Sequence, residues 1–321
     1  MNKNTLFWEY FKEWIALYKE GAIRPITLEK YRLSLKSLIK IAPELKLSQI
    51  DKRKYQWLLN EYAKTHERQT VKDWHAHIKA PILDAMDEGY IKVDPTRKPV
   101  FKGREPRHKK DKFLSIDELK KLLSVLNLDF GYEPKQSANG RFYTPSLYDW
   151  QIYLAARTGV RFSECLGITK KDFNFENKTL SINKTWNYKY NIGGFVETKN
   201  KSSIRTILLD DATIATIMPL INRTPDGDKP VFVFTDGKIY NSMINSRMET
   251  LCKRANVPII SFHGLRHTHA SILLCNGISI ASIAKRLGHA NTTTTQKTYL
   301  HIIKELEAKD NHMIMNVLNE F

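Results

Sequence analysis

Apolar residues recur at helical spacing from the start of the chain: Leu6, Phe7, Tyr10, Phe11, Trp14, Ile15 and Tyr18 fall on one face, and Gly21 can stop that helix. Thr27 is placed to cap a second helix carrying Tyr31, Leu35, Leu38 and Ile39, and a third runs from about Asp51 through Trp57, Leu58 and Tyr62. A fourth spans roughly Val71 to Asp87, turning Trp74, Ile78, Ile82 and Met86 inward, with Gly89 as its stop. Together they predict a compact four-helix domain over residues 1–94.

Beyond residue 112 the pattern changes twice. The segment S115-I-D-E118 matches a capping box and opens a helix through Leu119, Leu122, Leu123 and Leu126. The polar stretch from Asn127 to Ser146 reads as a long loop, and Leu147 to Thr158 as a helix with Gly159 just past its end. From Thr179 to Leu209 the period shortens to two. T179-L-S-I-N-K-T-W-N187, F195-V-E-T198 and I204-R-T-I-L-L209 read as strands, with N191-I-G-G194 and K199-N-K-S-S203 as turns. Helical patterns return from about Ser242 to the end. The predicted class is mainly α with a small antiparallel β-sheet, an α+β arrangement without internal repeats or low-complexity tracts.

Between the two halves lies P95-T-R-K-P-V-F-K-G-R-E-P-R-H-K-K-D-K112, with three prolines, one glycine and eight Lys and Arg against two acids. It reads as an interdomain linker over residues 95–112 whose Lys102, Arg104, Arg107, Lys109 and Lys110 track phosphates. The whole chain shares this bias: Lys and Arg outnumber Asp and Glu by 51 to 34 in 321 residues, a net charge of +17. An extended polyanion, nucleic acid above all, is the partner such a surface fits. A hydrophobic content of 42% excludes a wholly disordered chain. No long apolar run argues for a membrane span, and the first residues form an amphipathic pattern carrying Glu9 rather than a signal segment. Cys165, Cys252 and Cys275 are too few and too widely spaced for a disulfide framework or zinc ribbon, and read as core thiols of a reduced, cytosolic protein.

Several separated residues carry the chemistry. Arg161 in T158-G-V-R-F-S-E164 has Glu164 three positions on, close enough to share a helical turn and orient the guanidinium. His263 and Arg266 project from one end of a helix beginning near Ser261, where an imidazole and a guanidinium can share a phosphate. His289 closes the turn R286-L-G-H289, and Tyr299 follows ten residues later. Two arginines, two histidines, a hairpin lysine and a late tyrosine suit in-line attack on a phosphodiester without a metal or other cofactor. A zinc reading of His263, His267 and His269 fails on spacing, because His267 and His269 leave a helix on different sides; both read as packing or capping histidines.

Here the residues reach a family. H263-G-L-R-H-T-H-A-S-I-L-L274, R286-L-G-H-A290 and T298-Y-L-H301 closely resemble the second conserved block of tyrosine recombinases, the phage integrase family. T158-G-V-R-F-S-E164 resembles the first block, K199-N-K-S-S-I-R-T-I207 the hairpin lysine segment, and the helical N-terminal half the core-DNA-binding domain. The resemblance implies a catalytic domain over residues 113–300 in which Tyr299 is the nucleophile and Arg161 and Arg266 grip the scissile phosphate. It makes His263 and His289 hydrogen-bonding and proton-handling groups, Glu164 their support, and Lys199 the general acid, with Lys201 as competitor because the hairpin varies in length. It also implies double-stranded DNA attachment sites, a homotetramer on DNA in a bacterial cytoplasm, an accessory DNA-bending or excision factor, and a tail over residues 301–321 docking on a neighbouring protomer. Integrases of mobile elements often carry a further arm-site-binding domain ahead of the core-binding helices, which begin here near Met1; a shortened chain and a form without that domain both fit. The rival readings are a type IB topoisomerase, which religates the same strand, and a non-catalytic DNA-binding protein on the same scaffold.

Overall fold

The computed structural model describes residues 3–105, 113–129, 135–136, 142–143, 145–188, 193–198, 200–233, 240–293, 295–296 and 299. The chain divides into two compact units, Met1–Lys109 and Lys110–Phe321.

The first unit is built on four helices, α1 (Phe7–Tyr18), α2 (Pro25–Ile41), α3 (Lys52–Ala63) and α4 (Arg68–Asp87). Its core is the set of aromatic and aliphatic side chains that the helical period selects, among them Phe7, Phe11, Trp14, Leu38, Tyr55, Leu58, Trp74, Ile78 and Ile82. Buried polar atoms within it are satisfied: Trp74 Nε1 donates to the Ser34 carbonyl at 3.1 Å, and Ser34 Oγ meets His77 Nδ1 at 2.8 Å. One expectation needs correction. Thr27 does not cap α2, because Pro25 takes the first helical position and Arg24 the cap; proline's fixed φ and missing N–H suit that place. Ile39 faces outward, and Trp57 is 38% exposed, with the Lys54 ammonium 4.0 Å from its ring centroid.

The segment read as the start of a linker is fastened to this unit as far as residue 105. Gln56 exchanges hydrogen bonds with the backbone of Val100 at 2.8 and 2.9 Å, Phe101 meets the His75 ring edge-on at 5.2 Å, and the Arg104 amide donates to the His66 carbonyl at 2.9 Å. Gly103 makes this docking possible, since a Cβ there would lie 2.4 Å from the Arg68 backbone nitrogen.

In the second unit, α5 (Ile116–Ser124) opens with the expected reciprocal cap: Ser115 Oγ accepts from the Glu118 amide at 3.3 Å and Glu118 Oε2 from the Ser115 amide at 2.7 Å. The helix ends before Leu126. The stretch read as one long loop contains an antiparallel pair, β1 (Lys135–Gln136) with β2 (Phe142–Tyr143), and α6 (Pro145–Thr158) begins inside its end, two residues ahead of the expected Leu147. Most of α6 is buried, including Trp150, Ile152, Leu154 and Ala155, which makes it the axis on which this unit packs. Its buried Asp149 is neutralised by Arg247, which donates twice at 2.7 Å from α9 (Asn241–Arg254).

After α7 (Phe162–Leu166) come β3 (Phe173–Asn174), β4 (Thr179–Ile182), β5 (Lys184–Trp186), β6 (Phe195–Glu197) and β7 (Arg205–Leu208). The strand expected from Thr179 to Asn187 is in fact two: β4 lies between β3 and β7, with Ile182 opposite Arg205, whereas β5 pairs with β6, with Lys184 opposite Glu197. The break falls at Asn183, where Asn183 Nδ2 and the Lys184 ammonium both turn to the buried Asp172. The helix α8 (Asp211–Arg223), capped by Asp210, has no counterpart in the sequence reading. Then α10 (Phe262–Cys275), capped by Ser261 as expected, packs against α6, and α11 (Ile280–Leu287) ends at Gly288 in the left-handed conformation, φ +70°. Cys165 and Cys252 are core thiols, but Cys275 is exposed at the last residue of α10. Among the described residues no helix is long and apolar enough to cross a membrane.

Candidate active site

Glu164 is the hub of the site. It lies on the first turn of α7, 1% exposed, and accepts from both halves of an arginine pair. Arg161 Nη1 donates to its Oε1 at 2.6 Å, and the Arg161 amide to Oε2 at 2.9 Å. Arg205, from β7, makes a two-pronged contact at 3.2 and 2.9 Å. Burial alone raises the pKa of this carboxyl, but the hydrogen bonds and charge of Arg205, then of Arg161, overcome it and hold the group at about 2.

The depressed pKa has a measurable consequence. Stability from Glu164 is fully present above its ordinary value of 4.5 and is lost as pH falls toward about 2, a contribution of about 3 kcal/mol. Glu164→Gln leaves Arg205 buried beside a neutral partner, so the variant is expected to lose ~3–5 kcal/mol at neutral pH. That deficit should shrink between pH 5 and pH 2, as wild-type Glu164 also protonates. Denaturant unfolding at several pH values measures both; a deficit constant with pH would show that the carboxylate charge is not what Arg205 needs.

Arg266, on the first turns of α10, is 3% exposed. Its Nη1 donates to the Gly159 carbonyl at 2.8 Å and its Nη2 to the Leu287 carbonyl at 2.7 Å. Arg161 Nη2 reaches the adjacent Gly288 carbonyl at 3.2 Å, and Arg205 Nε the Arg286 carbonyl at 2.7 Å. Three guanidinium groups, from the cap of α7, from β7 and from α10, thus converge on the end of α11, and Glu164 holds two of them, Arg161 and Arg205. Burial and then the Arg161 charge lower Arg266 to about 9, which still leaves it cationic at neutral pH. The excess positive charge and the guanidinium N–H groups not used on carbonyls suit an anion with oxygens on several sides.

The remaining sequence-predicted groups gather around these arginines. His289, one residue past Gly288, shares a hydrogen bond with Thr295 Oγ1 at 2.7 Å; burial, then Arg266 and Arg161, push its imidazole to about 4. His263 is also lowered, by crowding and by Arg266 and Arg161. Its ring stays exposed, so the two guanidinium charges are the firmer cause. Both imidazoles are therefore neutral at pH 7, and each has a ring N–H that can donate to a phosphate oxygen. Tyr299 is 2% exposed, and burial pushes its phenol up to about 12, partly offset by Arg266.

Two residues that the sequence reading passed over belong here. Arg205 stands in I204-R-T-I207, where only the register of β4 and β7 turns it toward Glu164. His267 was read as a packing histidine, yet its Nδ1 lies 3.0 Å from Tyr299 Oη. The signal was available: His267 follows Arg266 and is one helical turn beyond His263, whose ring it meets edge-on at 4.9 Å. His269 does pack, with Nδ1 at 3.1 Å from the Ala156 carbonyl and Nε2 at 3.0 Å from Arg286 Nε. Among the described residues no three His, Cys, Asp or Glu side chains are grouped to hold a metal ion.

Lys199 lies outside the described residues, as do Arg107, Lys109, Lys110 and residues 301–321. Lys201 is exposed and opens a short 3₁₀ turn ahead of β7. Lys102 and Arg104 are exposed on the first unit, where Arg104 Nε also donates to the Lys64 carbonyl at 3.0 Å.

Comparison with known proteins places the chain in a family and finds its fold among solved structures. The integrase of Staphylococcus phage L54a is 25% identical over 95% of this chain and 91% of its own length. The Tn1549 transposon integrase, solved in complex with a circular intermediate DNA, superposes with a TM-score of 0.72 over 91% of this chain and 94% of that one, at 18% identity. A lambda integrase tetramer bound to a Holliday junction gives 0.63 at 16% identity, over 91% of this chain and 79% of that one. The sequence profile of the phage integrase family matches residues 112–305, the span that carries Arg161, Glu164, Arg205, His263, Arg266, His289 and Tyr299, and the chain belongs to that family.

Proposed function

We propose that this site-specific tyrosine recombinase cuts and rejoins DNA through Tyr299, for integration or excision of a mobile element. The observation that carries the residue roles is the convergence of Arg161, Arg205 and Arg266 around buried Glu164, with His263, His289 and Tyr299 beside them. Tyr299 Oη attacks a scissile phosphorus in line, the bond from phosphorus to the 5′ oxygen breaks, and a 3′-phosphotyrosyl link remains. Arg161 and Arg266 bind the non-bridging oxygens and the charge that grows on them, while Arg205 and Glu164 hold Arg161 in place. His263 and His289, both neutral, hydrogen-bond the same oxygens. Lys199 protonates the departing 5′ oxygen, with Lys201 as its rival. The tyrosyl link conserves the phosphodiester energy, so the 5′ end of a partner strand can attack it without ATP.

The first unit is the core-DNA-binding domain, and the basic residues Lys102, Arg104, Arg107, Lys109 and Lys110 contact backbone phosphates. Strand exchange needs four active sites in one synapse, which makes the working form a homotetramer on DNA, joined by an accessory bending or excision factor. The 301–321 tail, in whose sequence Ile302, Ile303, Leu306, Met313, Ile314, Val317 and Leu318 recur largely at helical spacing, docks on the neighbouring protomer. The site of action is the cytoplasm of a bacterial host.

A duplex from the ends of the element that encodes this protein, nicked close to the cleavage site, tests the reading. A covalent protein–DNA adduct is expected, followed by transfer to a second duplex. No adduct would leave a binding protein, and an adduct that only religates its own strand would leave a topoisomerase. For the general acid, a bridging 5′ sulfur supplies a leaving group that needs no proton. It is expected to restore cleavage to Lys199→Ala; restoration of Lys201→Ala instead would transfer the role.

A further inference from the structure

Tyr299 is a buried phenol, and a phenol is a weak nucleophile until its proton leaves. The hydrogen-bond partner that the described residues give its Oη is His267 Nδ1, at 3.0 Å. The two rings stand 5.9 Å apart at 63°, so the imidazole points a ring nitrogen at the hydroxyl rather than stacking on it. His267 comes immediately after Arg266 on α10, one turn from His263, whose ring packs edge-on against it and limits its rotation. His263 and His289 sit with the guanidinium cluster, and His289 spends its Nδ1 on Thr295. The base nearest the nucleophile is therefore a histidine distinct from the two aligned with the phosphate.

On the reading that Tyr299 is the nucleophile, we propose that His267 is its general base. As the Oη–phosphorus bond forms and the bond to the 5′ oxygen breaks, the phenol proton passes to His267 Nδ1; the 5′ oxygen takes its own proton from the separate general acid. In the return step the incoming 5′ hydroxyl gives its proton to that acid's conjugate base. The Oη–phosphorus bond breaks, and His267 returns its proton to Oη, so both groups end as they began. The imidazolium formed in between faces Arg266 on its own helix and His263 one turn away, with His289 and Arg161 around the same pocket. A bound phosphodiester, whose negative charge grows during attack, offsets the charges of that imidazolium and of Arg266 and Arg161. Proton transfer is thereby coupled to the presence of DNA.

A packing role for His267 makes a different prediction from a basic one. Asparagine at this position keeps an acceptor near the place of Nδ1 but cannot take a proton. In single-turnover cleavage of the nicked element-end duplex, His267→Ala and His267→Asn are each expected to be slower by ~10²–10⁴-fold, with binding of the same duplex unchanged by mobility shift. A bridging 5′ sulfur should not restore either variant, since it relieves the leaving group alone. Replacing Tyr299 by a fluorinated tyrosine, whose phenol ionises more readily, should bring His267→Asn back toward the wild-type rate.

Cleavage by His267→Asn near the wild-type rate would overturn the proposal, as would its rescue by the sulfur substrate or no gain from fluorination. Loss of duplex binding in His267→Asn would also count against it, because the residue would then be structural. These failures stand apart from failure of the nucleophile reading, which is judged on Tyr299→Phe: an adduct from that variant removes Tyr299 itself from the reaction. If Tyr299→Phe is inert and His267→Asn is fully active, the inference about His267 fails by itself.

Discussion

Tyr299→Phe is expected to form no covalent adduct with a nicked substrate, while binding the same duplex almost as tightly as the wild type. The substitution removes one oxygen from a side chain that is 2% exposed, and the phenyl ring keeps the space against Ala270, Leu274, Ile283 and Leu287, the buried residues of its cluster. The lost hydrogen bond to His267 costs about 1 kcal/mol of stability, too little to unfold the unit. Denaturing electrophoresis of the reaction reads the outcome directly. A protease-sensitive adduct from the Phe variant would place the nucleophile at another residue.

Arg266→Ala should cost both chemistry and stability. Cleavage in a single turnover is expected to fall by ~10²–10³-fold, the usual effect of deleting one donor aimed at transition-state charge. The same change leaves the Gly159 and Leu287 carbonyls without their donor, at ~1–3 kcal/mol for each buried acceptor. Arg161→Ala separates the two effects, because its side chain is 32% exposed and its loss is expected to slow cleavage with a smaller penalty on folding. Arg266→Lys keeps a charge, but one ammonium cannot span both carbonyls and a phosphate, so part of the stability should return without the rate. Near-normal cleavage by Arg266→Ala would remove the residue from the phosphate.

The features readable from the sequence were those in which cause and effect lie within a turn or two. Glu164 is three residues from Arg161, His263 three from Arg266, and the caps at Ser115 and Ser261 sit at the start of the helices they open. What the sequence hid depends on where distant segments meet. Arg205 pairs with Glu164 across 41 positions, and His267 with Tyr299 across 32, and no local period announces either. The split of β4 from β5 is of the same kind: both halves carry an alternating pattern, and only Asp172, by attracting Asn183 and Lys184, marks the break. Pro25 against Thr27 is a different failure, a contest between two valid local signals that proline's fixed backbone wins.

The end of α11 gives the arginine cluster a further significance. Backbone carbonyls at Arg286, Leu287 and Gly288 are each held by a guanidinium: Arg205, Arg266 and Arg161 in turn. Groups proposed to serve the reaction therefore also fasten the chain on which His289 and Tyr299 follow. A copy of this gene under no demand for recombination, but still under demand for a folded product, would keep these arginines for their grip on the backbone. It could discard the phenol oxygen of Tyr299 at little cost. On the proposed roles, decay of function should then begin at Tyr299 and reach the arginines last, so an intact set of arginines is a weaker sign of an active enzyme than an intact Tyr299.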